Sequence, residues 1–259
     1  MVATDLDGTI VRPDGTISAR VRAALTAVEN AGSWLVLVTG RPPRWLAPIA
    51  DQTGHRGLAV CSNGAVLYDL HTETVLESHL LTPEQLAALC TTLRTALPEL
   101  AFAVEYGDGF VHESRYPLRF PATDNRAVEL AELCSLPAVK LLARHEAMDP
   151  DTLLMRARAV AGHLGELTHS SRDGLLEIGA PGVSKATGLA RFCAEHGVDA
   201  ADVVAFGDMP NDLPMLAWAG RAYAVANAHP QVLAAVIRIA PSVHEDGVAI
   251  VLEELFPAG

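Results

Sequence analysis

Toward both ends of the chain, short continuous apolar runs alternate with stretches of helical periodicity. Val2 to Thr4 is the first run and stops at Asp5. Trp34 to Val38 is closed by Thr39-Gly40-Arg41, Leu58 to Cys61 by Ser62-Asn63-Gly64, and Val203 to Phe206 by Gly207-Asp208. A further run covers Ala222 to Ala226. Between them, residues 17–31 place Val21, Ala24, Leu25 and Val28 on one helical face, and residues 44–52, 184–196, 211–218, 229–238 and 247–255 also read as helices. Runs of four to six apolar residues, without polar alternation, predict strands buried on both faces, as in a parallel sheet flanked by helices.

The middle of the chain has a different rhythm. Residues 65–70 and 74–81 predict a hairpin. Thr82 as cap and Pro83 in the first turn predict a helix over 83–97. Strands follow at 101–106 and 109–114, a helix at 124–134, a strand at 138–143, a helix at 149–162, and strands at 165–170 and 174–178. This αββαβαββ order is an α+β pattern. The expected architecture is an α/β core from residues 1–81 and 184–259, with an α+β domain inserted at 82–183.

Composition narrows the possible roles. The net charge of −12 argues against a nucleic-acid binder, which needs a basic face. No uncharged apolar stretch reaches the roughly 18 residues that a membrane span requires. The N-terminus, Met-Val-Ala-Thr-Asp, shows no basic region followed by an apolar run, so no secretory signal is visible. Cys61, Cys90, Cys134 and Cys193 have neither CxxC nor metal-ligand spacing and read as reduced core thiols. A cytoplasmic protein is expected, monomeric or homodimeric, with no membrane or nucleic-acid partner.

The candidate chemistry lies where the predicted strands end. In an open parallel sheet, ligands bind beyond the carboxyl ends of the strands, so Asp5, Asp7, Thr39, Asn63 and Asp208 are expected to converge. Asp5 and Asp7 fall on one side of an extended segment, and Gly8 permits a sharp exit. The pair fits a general acid or a hard-cation site, and equally an acidic turn. Gly207-Asp208-Met209-Pro210-Asn211-Asp212 adds oxygen donors of the kind Mg²⁺ takes, although Asp208 or Asn211 also fits a helix cap. Such an acidic cluster needs a basic partner before it can receive a phosphate. Lys185, at a helix start where its charge opposes the dipole, is the candidate; a solvated surface lysine is its other reading. Thr39-Gly40-Arg41 reads as an anion cradle or as a plain turn.

These motifs resemble those of the haloacid dehalogenase superfamily, and within it the Cof-like phosphatases with a type IIB cap. Asp5-Leu6-Asp7-Gly8-Thr9, Leu37-Val38-Thr39-Gly40-Arg41, Ser62-Asn63-Gly64-Ala65, Gly182-Val183-Ser184-Lys185, Gly207 to Asp212 and Asp246-Gly247-Val248-Ala249 occur in the family's order. Ala186, and Met209-Pro210 within the acidic loop, depart from the residues usual there. The resemblance implies a magnesium-dependent phosphatase acting on sugar phosphates or similar small phosphorylated metabolites. Asp5 would be the nucleophile, forming an aspartyl-phosphate, and Asp7 the general acid and base. Mg²⁺ would be held by Asp5, the Asp7 carbonyl and Asp208, with Asp212 behind them. Leu6, Thr39, Gly40, Lys185 and Asn211 would hold the phosphoryl group. The inserted domain would act as a lid reading the leaving group, with Arg41, Asn63, Glu105, His112 and Arg115 as candidate contacts. Tyr106, Glu113 and Arg119 fit such contacts or solvated positions. A phosphosugar mutase of the same superfamily and a non-catalytic phosphometabolite sensor are the competing readings.

Overall fold

The computed structural model describes residues 1–107, 109–119 and 125–257. The chain divides into two compact units, Met1–Glu77 with Ser184–Gly259, and Ser78–Val183. Leu81 bridges to Ala138 of the second unit, so the residues just before Thr82 belong with the insert.

The first unit opens with β1 (Val2–Thr4), α1 (Ala19–Asn30), β2 (Leu35–Val38), α2 (Ala47–Thr53), β3 (Leu58–Cys61), β4 (Val66–Asp69) and β5 (Thr74–Ser78). The second unit contributes α3 (Pro83–Ala96), β6 (Ala101–Tyr106), β7 (Gly109–His112), β8 (Asn125–Ala127) and α4 (Leu130–Leu133). It continues with β9 (Lys140–Arg144), α5 (Pro150–Ala161), β10 (Glu166–Thr168) and β11 (Leu175–Gly179). The chain then re-enters the first unit with α6 (Lys185–His196), β12 (Val204–Gly207), α7 (Leu213–Trp218) and β13 (Arg221–Val225). It finishes with α8 (Pro230–Ala235), β14 (Arg238–Ala240) and α9 (Gly247–Leu255).

The sheet of the first unit runs β14-β13-β12-β1-β2-β3-β4-β5. Its pairings from β14 to β3 are parallel, and β4 runs antiparallel to β3. Every residue of β1 and β2 is buried, so both faces of the sheet centre are covered, as their unbroken apolar runs predict. β1 is flanked by β2, which follows it in the chain, and by β12, which comes after the insert. The crevice beyond β1 and β12 is therefore a topological switch point, the place where such sheets bind ligands. In register, Thr4 faces Phe206, which sets Asp5 beside the Gly207-Asp208 turn.

The sheet of the second unit runs β10-β11-β9-β6-β7-β8 and is antiparallel except for the β7–β8 pair. Phe102, Val104, Leu141, Ala143, Leu176 and Ile178 share one face and are buried. On the opposite face Ala101, Ala103, Leu142 and Tyr116 cluster with Phe110 and Leu175. The expected helix at 124–134 is not one element. Its first position lies outside the described residues, Asn125–Ala127 pair with β7, and only Leu130–Leu133 are helical. The insert thus carries a strand more than the αββαβαββ reading. The expected helix at 229–238 also stops early, at Ala235. Ile237 and Ile239 alternate with Arg238 and Ala240, and pairing with β13 draws that segment into the edge strand β14. Among the described residues no helix is long and apolar enough to cross a membrane.

Candidate active site

Asp5 follows β1 directly, and its N–H donates to the Phe206 carbonyl at 3.0 Å, which extends the β1–β12 ladder to the carboxylate. Lys185 is the first residue of α6 and is capped by Ser184, whose side chain accepts from the Thr187 N–H. It is no surface lysine, being 1% exposed. Its Nζ donates to Asp5 Oδ1 at 2.6 Å and to Asp212 Oδ1 at 2.6 Å. The other oxygen of Asp212 accepts the N–H groups of Asp208 and Met209, both at 2.9 Å, and so fixes the acidic loop. Asp212 is fully buried, with one oxygen on the Lys185 ammonium and the other on the loop N–H groups.

Carboxylate oxygens of Asp5, Asp208 and Asp212 lie within 4.8 Å of one another. Burial, opposed by Lys185 and reinforced by Asp212 and Asp7, raises the Asp5 carboxyl to about 7. Burial, reinforced by Asp5 and Asp212, raises Asp208 to about 9. Burial works against the Lys185 ammonium, but Asp212 and Asp5 outweigh it and raise its pKa. Three carboxylates against one ammonium leave an excess of two negative charges when all are ionised. That oxygen-only donor set and its charge excess fit a hard divalent cation such as Mg²⁺.

Close approach is built into the backbone around this cluster. At Gly8 (φ +81°) an added Cβ would lie 2.3 Å from Asp208 Oδ2, so only glycine lets the first loop approach the acidic loop. At Gly64 (φ +98°) a Cβ would lie 2.0 Å from the Ser184 carbonyl oxygen, so glycine also brings the β3 loop onto the start of α6.

The remaining candidates divide by unit. Thr39 is buried, its Oγ1 accepts from the Arg41 N–H at 3.1 Å, and its carbonyl accepts from the Asn63 N–H at 3.0 Å. The Thr39-Gly40-Arg41 segment leads into a short 3₁₀ turn at Pro43–Trp45, and no α-helix N-terminus stands directly behind it as an anion cradle. Asn211 sits in the Pro210–Asp212 3₁₀ turn, and its Nδ2 donates to Asn63 Oδ1 at 3.0 Å. Leu6 is buried, and its carbonyl accepts from Thr9, Ile10 and Val11. Asp7 differs from Asp5: its exposed carboxylate is forked by Arg41, with Nε at 2.8 Å and Nη2 at 2.5 Å. Glu105, His112 and Arg115 belong to the second unit and are engaged there. Glu105 lies 3.6 Å from Lys140, His112 Nδ1 meets the Glu113 carbonyl at 2.8 Å, and Arg115 donates to the Leu100 carbonyl. Arg119 pairs with Asp173 at 3.6 Å.

Two contributors have no assigned role in the sequence reading. Thr9 Oγ1 reaches Asp208 Oδ1 at 3.2 Å and Asp5 Oδ2 at 3.5 Å; its place four residues after Asp5, in a turning loop, was the available signal. Asn227 donates to the Gly8 carbonyl at 2.7 Å and accepts from the Val243 N–H at 2.8 Å. No motif surrounds Asn227, and only the folded sheet brings it to the Asp7-Gly8 turn.

Residues 2–252 match the haloacid dehalogenase-like hydrolase family. The chain belongs to this family. Pyridoxal phosphate phosphatase YbhA of Escherichia coli is 30% identical over 90% of each chain. A crystal structure of a haloacid dehalogenase-like hydrolase from Bacteroides thetaiotaomicron superposes with a TM-score of 0.76, at 27% identity over 98% of each chain. A subclass IIB sugar phosphatase of the same superfamily superposes with a TM-score of 0.81, at 18% identity and 98% coverage of both, and shares the fold. The expected α/β fold with a IIB-type insert is thus the fold this family member adopts.

Proposed function

We propose that the protein is a magnesium-dependent phosphomonoester hydrolase that works through an aspartyl-phosphate on Asp5. The observation that carries this reading is the buried Lys185 ammonium held at 2.6 Å from both Asp5 and Asp212, beside the Asp208 carboxylate. An anion-transfer site needs a nucleophile and a fixed positive charge together, and here the pair stands beside a third carboxylate, Asp208, at the ends of the sheet's strands.

Lys185 occupies Asp5 Oδ1, orienting the carboxylate so that an oxygen attacks phosphorus while the bond to the leaving oxygen breaks. Asp7 gives its proton to that leaving oxygen, then takes one from the water that attacks phosphorus in the second step. Phosphate departs and Asp5 is regenerated. Arg41 sets where the Asp7 carboxylate waits, so one of the two must shift when substrate enters. Thr39, Gly40, Asn211, Lys185 and the Leu6 backbone receive the phosphoryl oxygens, with the amide of Asn211 fixed by Asn63. Asp5, the Asp7 carbonyl and Asp208 would hold Mg²⁺, with Asp212 fixing the loop behind them. When bound, the cation offsets the excess negative charge and polarises the phosphoryl group.

The substrate class is small phosphorylated metabolites. Pyridoxal phosphate, named for the Escherichia coli relative, joins sugar phosphates as a compound to test. The second unit is the part of the chain to which leaving-group choice is assigned. The test is phosphate release from sugar phosphates, pyridoxal phosphate and nucleotides with Mg²⁺, repeated with excess EDTA. Release that stops in EDTA and returns with Mg²⁺ supports the reading. Release undiminished by EDTA removes the metal, and interconversion of sugar phosphate isomers without phosphate release favours the mutase.

A further inference from the structure

The Asp7-Gly8 turn is closed by its own loop and gripped by a second one. The Gly8 N–H donates to the Val11 carbonyl at 2.9 Å, and the N–H groups of Thr9, Ile10 and Val11 donate to the Leu6 carbonyl. The second grip comes from the loop that follows β13. Asn227 Nδ2 donates to the Gly8 carbonyl at 2.7 Å, across 219 positions of the chain, and Asn227 Oδ1 accepts from the Val243 N–H at 2.8 Å. Two residues later, the His229 N–H donates to the Asp208 carbonyl at 2.7 Å. One loop thus holds both the turn that carries Asp7 and the turn that carries Asp208. A parallel tie runs from Arg12 Nη2 to Asp246 Oδ1 at 2.9 Å, so the segment Val243–Asp246 backs the first loop at two points. That segment is itself anchored: Val243 is buried, and a Cβ on Gly247 would collide with the Pro241 carbonyl oxygen. A turn alone does not call for the Asn227 side chain. The left-handed non-glycine residues among those described are Ser62, Asn63, Glu73 and Asp246, and both side-chain bonds of Asn227 reach outside its own turn.

We propose that Asn227 is a positioning residue for acid–base catalysis by Asp7. The proposal rests on the reading of Asp7 as the group that protonates the leaving oxygen. The Asp7 carboxylate is exposed and its fork to the half-buried Arg41 is screened by water, so its backbone has a large share in setting where it stands. Gly8, at φ +81°, is the pliant joint next to that backbone. The Asn227 bond fixes the peptide on the far side of Gly8, while the Val11 carbonyl fixes the peptide between Asp7 and Gly8. Asn227 acts through Gly8 and not on substrate. Without its amide the turn keeps its internal bonds but loses its attachment to the β13 loop and, through it, to Val243. Misplacing a catalytic group by about 1 Å costs on the order of 10²-fold in rate.

The experiment compares Asn227→Ala and Asn227→Asp with the wild type as full-length proteins. Asp keeps an acceptor for the Val243 N–H but sets a carboxylate oxygen against the Gly8 carbonyl, so it removes the one bond the proposal needs. Hydrogen exchange read by mass spectrometry is expected to quicken over residues 6–12 in both variants, with β2 exchanging as in the wild type. The values of kcat and KM are then measured on p-nitrophenyl phosphate, whose leaving group needs no proton, and on the sugar phosphate that the wild type turns over fastest. Both variants are expected to lose ~10²-fold in kcat on the sugar phosphate, with KM unchanged, and far less on p-nitrophenyl phosphate. Equal losses on the two esters, or unchanged exchange over residues 6–12, overturn the proposal. Asp7→Asn, measured alongside, separates the two claims. If Asp7→Asn is selective between the esters and the Asn227 variants are not, the positioning role alone fails. If Asp7→Asn slows both esters equally, the acid role of Asp7 fails and the proposal falls with it. The exchange readout needs no turnover, so unchanged exchange counts against the grip of Asn227 whatever becomes of the proposed reaction.

Discussion

At the scale of single residues, Lys185 is the pivot. It is buried and its ammonium is divided between Asp5 and Asp212, so Lys185→Met would leave two buried carboxylates without their cation. Breaking a buried ion pair from one side costs ~3–5 kcal/mol, and the urea midpoint of the metal-free variant is expected to fall accordingly. An unchanged midpoint would mean that the carboxylates are already neutralised in another way. Asp7 and Arg41 make the opposite case. Asp7 is exposed and Arg41 half-buried, so water screens the pair, and Arg41→Ala is expected to alter stability by ~1 kcal/mol or less. Loss of acid–base assistance in Asp7→Asn should lower kcat by roughly 10²–10⁴, read from initial rates on the substrate that releases most phosphate. Asp5, Asp7, Asp208 and Lys185 could be singled out in the chain because charge at a predicted strand or helix end is costly without a purpose. Thr9 and Asn227 could not, since a hydroxyl or amide in a loop is commonplace and only the folded distances give it a partner. The Asp7–Arg41 fork was hidden for the same reason: 34 residues separate its members.

At the scale of elements, glycine governs how α6 meets the β3 loop. Gly188 lies on α6, and a Cβ there would come within 2.7 Å of Gly64 Cα and of Val60 Cγ1. Gly188→Ala is therefore overpacked and is expected to cost ~1–3 kcal/mol in a thermal or denaturant melt. It should also lower phosphate release, because Lys185 rides on the same helix. A variant with full stability would show that α6 has room to spare at this contact. The strands around the switch point were legible because unbroken apolar runs bounded by Gly, Asn or Asp have few other readings. β8 and β14 were not, because both are three residues long and are set by pairing with a neighbour already in place. Propensity over a short window cannot anticipate that partner.

At the scale of the whole molecule, the two units hold their buried charge differently. In the first, three carboxylates surround one lysine and invite a cation. In the second, Lys140 lies 2.6 Å from Glu177 and 3.6 Å from Glu105, all three buried, on the sheet face that also carries Tyr116. Burial opposes the Lys140 charge, but Glu105 and Glu177 outweigh it and raise its pKa. A raised lysine stabilises the fold fully below its unfolded pKa and loses that contribution only as pH climbs through the folded value. Lys140→Met is thus expected to cost ~3–5 kcal/mol, equally at pH 6 and pH 8, as chemical denaturation would show. The first unit predicts a linkage instead: Mg²⁺ at about 100 times its Kd should add ~2.7 kcal/mol to stability, and Asp208→Asn should lose most of that gain. A melting temperature indifferent to Mg²⁺ would contradict the metal assignment without any assay of turnover.

The most direct test of the central claim compares phosphate release by the wild-type protein and by Asp5→Asn, with Mg²⁺, across phosphorylated sugars, pyridoxal phosphate and nucleotides. Asp5 as nucleophile predicts release by the wild type on at least one compound and none above background by the variant, with both proteins giving the same circular dichroism spectrum. Release by Asp5→Asn at the wild-type rate would contradict the covalent role of Asp5, and silence from the wild type on every compound would contradict the hydrolase itself.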